Sequence, residues 1–207
     1  MARYTGPTTR LSRREGQNLY LKGSRSYSNK DSFAKRPYAP GQHGQAGARR
    51  NQSEYGKQLR EKQKTKRFYG LQEKQFRQLY EEADRMRGNT ATNLLILLEM
   101  RFDNIAYRLG FGESRAQARQ RVTHSHFTVN GKKVNIPSID LEVGDVIEVA
   151  ESSKDLDMFK ELELTHAVPE WLNFDADNLR GTVLRAPSRE DVDLEVQERL
   201  IVELYSR

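Results

Sequence analysis

The sequence of 207 residues contains no cysteine and a single tryptophan. The absence of cysteine excludes disulfide bonds, thiolate nucleophiles and cysteine-ligated zinc. Long hydrophobic runs are absent too: the longest, Leu94–Leu98, is far shorter than the roughly 20 apolar residues that span a membrane. The opening stretch, MARYTGPTTRLSRREG, lacks the apolar core of a signal peptide. We therefore expect a soluble, cytoplasmic protein with no membrane partner.

Positive charge is abundant, and it is concentrated at one end of the chain. The formal net charge is +6. Residues 1–90 carry 21 Lys+Arg against 8 Asp+Glu, residues 91–150 carry 7 of each, and residues 151–207 carry 7 against 14. A basic first part followed by an acidic tail favours an extended anionic partner, with nucleic acid as the leading candidate.

The first 50 residues resemble a basic extended arm more than a self-sufficient fold. Besides Met1, their only large aliphatic or Phe residues are Leu11, Leu19, Leu21 and Phe33, so little apolar area offsets the entropy of ordering the backbone. The segment also contains GQHG, whose glycines let backbone amides approach phosphates closely. Composition leaves two interpretations open: a disordered tail, or an arm that becomes ordered on RNA.

A very polar helix is predicted next, with Ser53 as its cap and Gly70 beyond its end. It carries six Lys+Arg against two Glu, and these cations repel one another unless an anion screens them. The pattern therefore favours an anionic partner over a helix that only projects into solvent. The cations are Lys57, Arg60, Lys62, Lys64, Lys66 and Arg67.

Hydrophobic periodicity predicts two apolar helices after it, at residues 71–88 and 92–110. The first of them places on one face Phe76, Leu79, Tyr80, Ala83 and Met86. In the acidic tail we predict a helix at residues 156–164, a loop at 168–175 and a last helix at 195–207.

Between these helices and the tail, local signals predict a short helix followed by a hairpin. Ser114 and Gln117 have the spacing of a capping box, Asn130-Gly131 is typical of a two-residue hairpin turn, and residues 143–150 predict a third strand. The cations of this stretch meet where the helix starts and the hairpin turns: Arg115, Arg119, Arg121, Lys132 and Lys133. Either they are ordinary solvated charges, or they form one surface for a polyanion.

No catalytic residue, cofactor or metal site is predicted. His124 and His126 form an H-x-H pair, but no third ligand lies nearby in the sequence. The GQHG loop lacks the Lys-Ser/Thr ending of a phosphate-binding loop, and the acidic cluster at residues 189–195 lacks the order of a calcium loop. That cluster is more typical of a solvated or protein-docking surface.

Several stretches together resemble the S4 family of bacterial small-subunit ribosomal proteins. They run in order from residue 3 to residue 207, and they are RYTGPTTRLSRREGQNLYLKG, PGQHG, YGKQLREKQKTKRFYG, RFDNIAYRLGFGESRAQARQRVTH, VNGKKVNIPS and LIVELYSR. The stretch at residues 91–150 is similar to an RNA-binding domain that pseudouridine synthases and some tRNA synthetases also carry.

The resemblance implies a non-enzymatic structural constituent of the small ribosomal subunit, a primary rRNA binder that nucleates assembly of the 5′ domain. It also implies contacts with ribosomal protein S5 and other small-subunit proteins, an influence on translational accuracy, a position near the channel by which mRNA enters, and in some members repression of their own mRNA. Two alternatives are a free binder of an mRNA leader and an RNA-modifying enzyme with the same RNA-binding module. The enzyme would need a catalytic domain, for which no remaining stretch is long enough.

The sequence departs from the family at one place. Some members hold the N-terminal arm with four cysteines on zinc, and those positions fall here on Thr9, Ser12, Ser26 and Asp31, which cannot reproduce a thiolate site. Without the metal we expect residues 1–45 to be poorly ordered away from the ribosome.

We expect an α+β fold, with a mainly helical N-terminal domain that the C-terminal segment completes. A small α/β RNA-binding module of two helices and a short antiparallel sheet is inserted between. The expected segments are a basic arm at 1–50, a helical rRNA-binding region at 51–90, the module at 91–150, and an acidic segment at 151–207 that packs on the helical domain.

The predicted RNA contacts include the basic, polar and glycine residues of all segments except the acidic one. They are Arg3, Tyr4, Arg10, Arg13, Arg14, Lys22, Arg36, Gln42, His43, Gly44, Arg49, Arg50, Lys57, Arg60, Lys62, Lys64, Lys66, Arg67, Arg115, Arg119, Arg121, His124, Asn130, Gly131, Lys132 and Lys133.

Overall fold

The computed structural model describes residues 3–45, 52–160, 162, 164 and 166–206. The chain divides into two compact units. The first unit consists of residues 1–94 and 194–207, and the second of residues 95–193. The C-terminal segment thus completes the helical N-terminal part, and an α/β module is inserted between them. The predicted α+β fold class is confirmed.

The regular secondary structure among the described residues of the first unit is helical. The helices are α1 (Thr8–Glu15), α2 (Ser24–Tyr27), α3 (Ser32–Lys35), α4 (Glu54–Phe68), α5 (Glu73–Arg85), the start of α6 (Thr90–Glu99) and α10 (Glu198–Tyr205). The predicted cap of α4 is confirmed, since the Ser53 hydroxyl accepts the Gly56 N–H at 3.2 Å. Local side-chain chemistry therefore sets where this helix begins.

The apolar face predicted for α5 is buried, with one exception. Phe76, Leu79, Tyr80 and Ala83 lie in the core. Met86 is 42% exposed, and its place on that face was wrong. The helix ends at Arg85 and the backbone of Met86 is extended, with ψ 147°, so the helical periodicity does not reach it.

Helix α10 packs on α4 and gives the last helix of the chain its partner. Ile201 is fully buried, and the Gln58 amide donates to the Glu203 carboxylate at 3.0 Å. The Tyr205 ring stacks on Tyr80 with centroids 4.6 Å apart, and its hydroxyl donates to Glu73 at 3.1 Å. Apolar burial and these polar contacts together fix the C-terminal segment to the N-terminal helices.

The second unit contains the rest of α6, short helices and a sheet. The helices are α7 (Phe102–Arg108), α8 (Arg115–Thr123) and α9 (Asp157–Lys160); the strands are β1 (Phe127–Val129), β2 (Lys132–Val134), β3 (Val146–Val149), β4 (Leu172–Asp175) and β5 (Arg180–Val183). The predicted helix at 156–164 is thus shorter in the described residues, and residues 161 and 163 lie outside them.

The predicted helix at 92–110 is two helices, α6 and α7, with a break at Met100 and Arg101. Arg101 is extended, with φ −64° and ψ 138°. The Leu141 N–H donates to the Met100 carbonyl at 3.0 Å, and the Phe102 N–H donates to the Ile139 carbonyl at 2.8 Å. A distant loop therefore takes backbone bonds that a continuous helix would make, and tertiary context overrides helix propensity.

The five strands form one antiparallel sheet in the order β2-β1-β3-β5-β4. The predicted Asn130-Gly131 turn joins β1 to β2, with φ values of 50° and 75° that match a primed turn. The loop predicted at 168–175 was wrong, because its second half is β4, which pairs with β5. The alternation of Leu172 and Phe174 with Asn173 and Asp175 is the sequence signal for this strand.

The core of the second unit lies between the sheet and its helices. Trp171, Phe102, Phe127 and Ile147 are fully buried there. Of the predicted acidic segment 151–207, residues 151–193 belong to this unit and residues 194–207 to the first. The predicted division into four segments was based on charge and role. The two units reflect packing alone, so the four-segment division stays a prediction.

Candidate nucleic-acid interface

Helix α4 holds six of the predicted RNA contacts, and each of these cations has a carboxylate partner within the chain. Arg60 and Arg67 contact Glu15 of α1, the former at 3.2 Å. Lys62 and Lys66 contact Glu73 of α5 at 2.5 and 2.8 Å. The two remaining pairs are Lys57–Glu54 at 2.8 Å and Lys64–Glu61 at 2.9 Å. Carboxylates of α4 itself and of neighbouring helices thus relieve the repulsion that favoured an external anion.

The pKa values of Glu15 and Glu73 shift in opposite directions, although both carboxylates contact α4 cations. The Glu15 side chain is 1% exposed, and burial raises its pKa against the opposing charges of Arg60 and Arg67. Burial also raises the pKa of Glu73, but hydrogen bonds from Lys62 and Lys66 outweigh it and lower this pKa to about 2. Both carboxylates hold other helices against α4.

The three arginines of α8 also bind within their own unit. The Arg115 Nε donates to the side-chain oxygen Oδ1 of Asn104 at 2.9 Å, and its guanidinium lies 4.5 Å from the Tyr107 ring centroid. Arg121 donates to the Phe111 carbonyl at 2.8 Å. Arg119, 8% exposed, donates to the Asp103 carboxylate. These side chains attach α8 to α7 and to the loop after it.

A sequence signal for this packing was present and was missed. Arg115 and Arg119 stand at the same i, i+3, i+4, i+7 positions as Ala118 and Val122, which are fully buried. A stripe of that spacing is one helix face, so the two arginines share the buried face. The described α8 residues that face solvent have no ionisable side chain: Ala116, Gln120 and Thr123.

The start of α8 follows the prediction in part. The Ser114 hydroxyl accepts the Gln117 N–H at 3.4 Å, as a cap does. The Gln117 side chain reaches one residue further back than in a capping box and accepts the Glu113 N–H at 2.7 Å. The helix start is therefore fixed by two side-chain bonds.

A buried charge network lies beneath α8. The Asp103 carboxylate accepts two bonds from Arg101, both at 3.1 Å, in addition to that from Arg119. The fully buried Glu99 accepts from Asn104 at 2.6 Å and from Arg108 at 3.0 and 2.8 Å. Buried charges of this kind are tolerated only when paired, so these groups serve the fold.

The hairpin tip is the part of this module where cations stay exposed. Lys132 and Lys133 are exposed, and within the described chain no carboxylate pairs with either of them. Successive strand residues point to opposite faces, so the two ammonium groups flank the hairpin. The Asn130 amide donates to Asp145 at 2.8 Å and its oxygen accepts the Val146 N–H at 3.0 Å, which ties the tip to the next loop.

The comparisons with known proteins bear on both units. The family described as "Ribosomal protein S4/S9 N-terminal domain" matches residues 3–99, and the "S4 domain" matches residues 100–147. The relatives include "Small ribosomal subunit protein uS4" of Clostridium tetani, 58% identical over 208 residues, and that of Heliobacterium modesticaldum, 59% identical over 210 residues; each comparison covers all of both chains.

The chain belongs to the ribosomal protein S4 family. As a member of that family it is a ribosomal, RNA-binding protein of the small subunit with a role in translation, and it is not an enzyme. Its predicted place on the small ribosomal subunit in the cytoplasm follows from this membership. Among the described helices, none has the length and apolarity to cross a membrane.

In this S4-family chain, three of the four positions that the resemblance matches to zinc-binding cysteines are hydrogen-bonded. The Ser12 hydroxyl accepts the Leu19 N–H at 3.4 Å, and the Ser26 hydroxyl accepts the Lys22 N–H at 3.1 Å. Asp31 accepts the Asn18 amide at 2.9 Å and the Phe33 N–H at 3.1 Å. These bonds connect the turns of the arm, and its disorder away from the ribosome stays a prediction.

Some of the remaining predicted RNA-contact residues are hydrogen-bonded within the chain, and others are exposed. Arg13 donates to the Tyr38 carbonyl at 2.9 Å. Gly44 is buried, and its N–H donates to the Gly41 carbonyl at 3.1 Å, so this amide is already used within the turn. Arg49 and Arg50 lie outside the described residues. The exposed predicted contacts are Arg3, Tyr4, Arg10, Arg14, Lys22, Arg36, Gln42, His43, Lys57, His124, Asn130, Gly131, Lys132 and Lys133.

The H-x-H pair has a structural contact instead of a ligand cage. The rings of His124 and His126 lie 6.0 Å apart, and His126 Nδ1 is 2.9 Å from the Ser153 hydroxyl. Burial and the neighbouring His124 lower the pKa of His126. Among the residues that the structure describes, no three His, Asp or Glu side chains converge as metal ligands would.

Proposed function

We propose that this S4-family chain is a primary rRNA-binding protein that nucleates assembly of the 5′ domain of small-subunit rRNA. The observation that supports it most is the distribution of accessible charge. The cations of α4 and α8 are bound to groups of the chain itself, whereas most of those in the arm and both at the hairpin tip are exposed. Accessible cations at two places on the chain suit an extended RNA surface.

In this proposal the predicted RNA-contact residues that are exposed bind mainly to phosphates of the RNA. Such contacts position a protein without reading bases, and RNA shape supplies the specificity. The paired cations of α4 would have to exchange a carboxylate for a phosphate to make the same contact. Lys57 is the α4 cation best placed for that exchange, because its partner Glu54 is itself largely exposed.

The proposal includes protein partners and mRNA. Ribosomal protein S5 and other small-subunit proteins would face the acidic part of residues 151–206, because its exposed carboxylates repel RNA. Contacts with S5 would contribute to translational accuracy, and the basic arm would lie near the channel by which mRNA enters. A chain that sediments with free RNA and never with small subunits would instead favour the regulatory mRNA-leader binder.

The test is a titration of the full chain against the 5′ domain of small-subunit rRNA and an unrelated structured RNA of equal length, across a salt series. We expect nanomolar affinity for the 5′ domain, a large specificity ratio and a steep fall of log K with log salt. Equal and weak affinity for both RNAs would contradict the assembly role.

The paired variant Lys132→Ala/Lys133→Ala tests the hairpin tip. If both lysines neutralise phosphates, the salt slope falls by about 2, since each contact contributes roughly 0.9. A matched control is Lys160→Ala, which removes an exposed cation of the acidic part and should leave the slope unchanged. An unchanged slope in the paired variant would exclude the tip from the interface.

A further inference from the structure

Two tyrosines of the arm form a stacked pair on the protein surface. The rings of Tyr20 and Tyr27 have centroids 4.8 Å apart and planes inclined by 16°. Tyr20 is 43% exposed and Tyr27 59% exposed. Each ring covers one face of the other, and each residue keeps a large exposed area. A stack that is already formed on a surface can be extended by a third flat ring.

The backbone is held in an uncommon conformation to make this pair. Tyr20 has φ +49°, in the left-handed region that bulky side chains rarely adopt. Its N–H donates to the side-chain oxygen Oδ1 of Asn18 at 3.0 Å. The Asn18 amide donates in turn to Asp31 at 2.9 Å and to the Ser26 carbonyl at 3.4 Å. One side chain thus fixes the Tyr20 turn to the residue that precedes Tyr27.

Strained residues of this kind concentrate at ligand-binding sites. Both tyrosines are polar-tipped aromatics whose burial would stabilise a fold, yet the conformation here leaves them exposed. The bonds of Asn18 prearrange the pair, which removes part of the ordering cost of binding.

The charge around the pair selects the kind of partner. Residues 3–45 carry nine Lys+Arg against two Asp+Glu. Lys22 and Arg25 lie between the two tyrosines in the sequence and are exposed. Aromatic rings beside cations that can track a phosphate backbone are the combination that holds single-stranded nucleic acid. An apolar protein surface would not match these charges.

We propose that Tyr20 and Tyr27 form a stacking platform for one unpaired nucleobase of the rRNA, with Lys22 and Arg25 at the flanking phosphates. This inference rests on the proposed rRNA binding and assigns a base contact within it. The platform discriminates little between bases, because every base has a π-face. Its contribution is to capture a nucleotide that has left its helix.

The first experiment compares full-length Tyr20→Ala/Tyr27→Ala with the unchanged chain in binding to the 5′ domain RNA across the salt series. Loss of one stacked base weakens binding about five- to hundredfold. This factor should be the same at every salt concentration, because stacking releases no counterions. Tyr20→Phe/Tyr27→Phe keeps both rings and should keep the affinity. Tyr55→Ala is the matched control, since Tyr55 is 53% exposed on α4.

The second experiment is ultraviolet crosslinking of the same full-length chains to the RNA, with the attached peptide identified by mass spectrometry. The platform requires a nucleotide on Tyr20 or Tyr27, and this readout separates stacking from a loss of arm structure. Weaker binding of the alanine pair without such a crosslink in the unchanged chain would overturn the platform. RNA affinity equal to that of Tyr55→Ala would also overturn it, and reduced incorporation into subunits would then assign the pair to a protein neighbour.

Failure of the proposed function gives a different result. The unchanged chain would then bind the 5′ domain and the unrelated RNA equally, whatever the variants do. Crosslinks on either RNA would still decide whether the two tyrosines hold a base.

Discussion

At the scale of single residues, cations that look alike in the sequence have different surroundings. Arg119 and Lys132 both belong to the predicted RNA surface, yet the guanidinium of Arg119 lies against buried Asp103 and the lysine is exposed. The reason is steric, because residue 119 shares a helix face with Ala118 and Val122, whereas residue 132 follows a tight turn. Exposure, which depends on packing, separates a structural cation from an available one.

The main effect of Arg119→Ala should be a lower free energy of unfolding, with little direct effect on RNA affinity. It removes one of the two cations that compensate Asp103, and we expect a loss of about 3 kcal/mol, the low end for broken buried pairs, since Arg101 remains. Chemical denaturation measures this. Lys132→Ala is the control and should change stability by no more than about 0.5 kcal/mol. An Arg119→Ala chain of unchanged stability but weaker RNA binding would show that Arg119 contacts RNA.

Glu73→Gln tests the carboxylate that two lysines share. The folded pKa of Glu73, about 2, lies below its ordinary value of 4.5, so its stabilising effect is complete above pH 4.5 and lost as pH falls towards 2. The unchanged chain should therefore be more stable than Glu73→Gln at pH 7, with the difference shrinking between pH 5 and 2 in urea titrations. Glu82→Gln, an exposed position on the same helix, should show no such trend.

At the scale of elements, what could be predicted from the sequence was local. The caps at Ser53 and Ser114 and the Asn130-Gly131 turn depend on neighbouring residues, and the structure has all three. The break between α6 and α7 depends on backbone bonds to residues 139–141, and no local pattern contains it. β4 was missed because four residues of alternation are a short pattern, and its pairing with β5 is a tertiary contact.

The close approach of β5 to Leu109, the residue that follows α7, depends on a glycine. A Cβ on Gly181 would lie 2.3 Å from Cδ1 and 2.6 Å from Cδ2 of Leu109, a residue that is fully buried. We expect Gly181→Ala to destabilise the protein by about 1–3 kcal/mol, as overpacking does, in thermal or chemical denaturation.

A double-mutant cycle with Leu109→Val provides the control. Trimming the leucine makes room for the added methyl, so the two changes together should cost less than their sum. Additive effects would mean that Gly181 is required for another reason.

At the scale of the whole molecule, the chain leaves its helical unit at residue 94 and returns to it at residue 194. The family and the fold class were predictable because the matching stretches run along the whole chain. The pairing of four of the six α4 cations was not, since Glu15 and Glu73 lie on other helices and meet these cations only through packing. RNA binding by the α4 cations therefore stays a prediction, whereas the structure shows that they form ion pairs within the fold.

Removal of residues 194–207 should affect the helical unit selectively. Without α10, the apolar surface that Ile201 and Tyr205 cover on α4 and α5 is exposed to water. We expect hydrogen exchange of the amides in α4 and α5 to accelerate, while those of β1–β5 keep their protection. As a control, the single change Ile201→Ala should produce a smaller acceleration at the same amides. Equal acceleration in both units would contradict the division of the chain.

The separation of the two halves of the helical unit has a consequence for biosynthesis. A chain is made from its N-terminus, and domains fold as they emerge. The sheet unit is complete once residue 193 has been synthesised, whereas α4 and α5 cannot pack against α10 until residues 194–207 have been added. Helix α10 is synthesised last and packs on helices that are synthesised early. Until it has emerged, the nascent protein exposes its α4–α5 surface to chaperones and proteases.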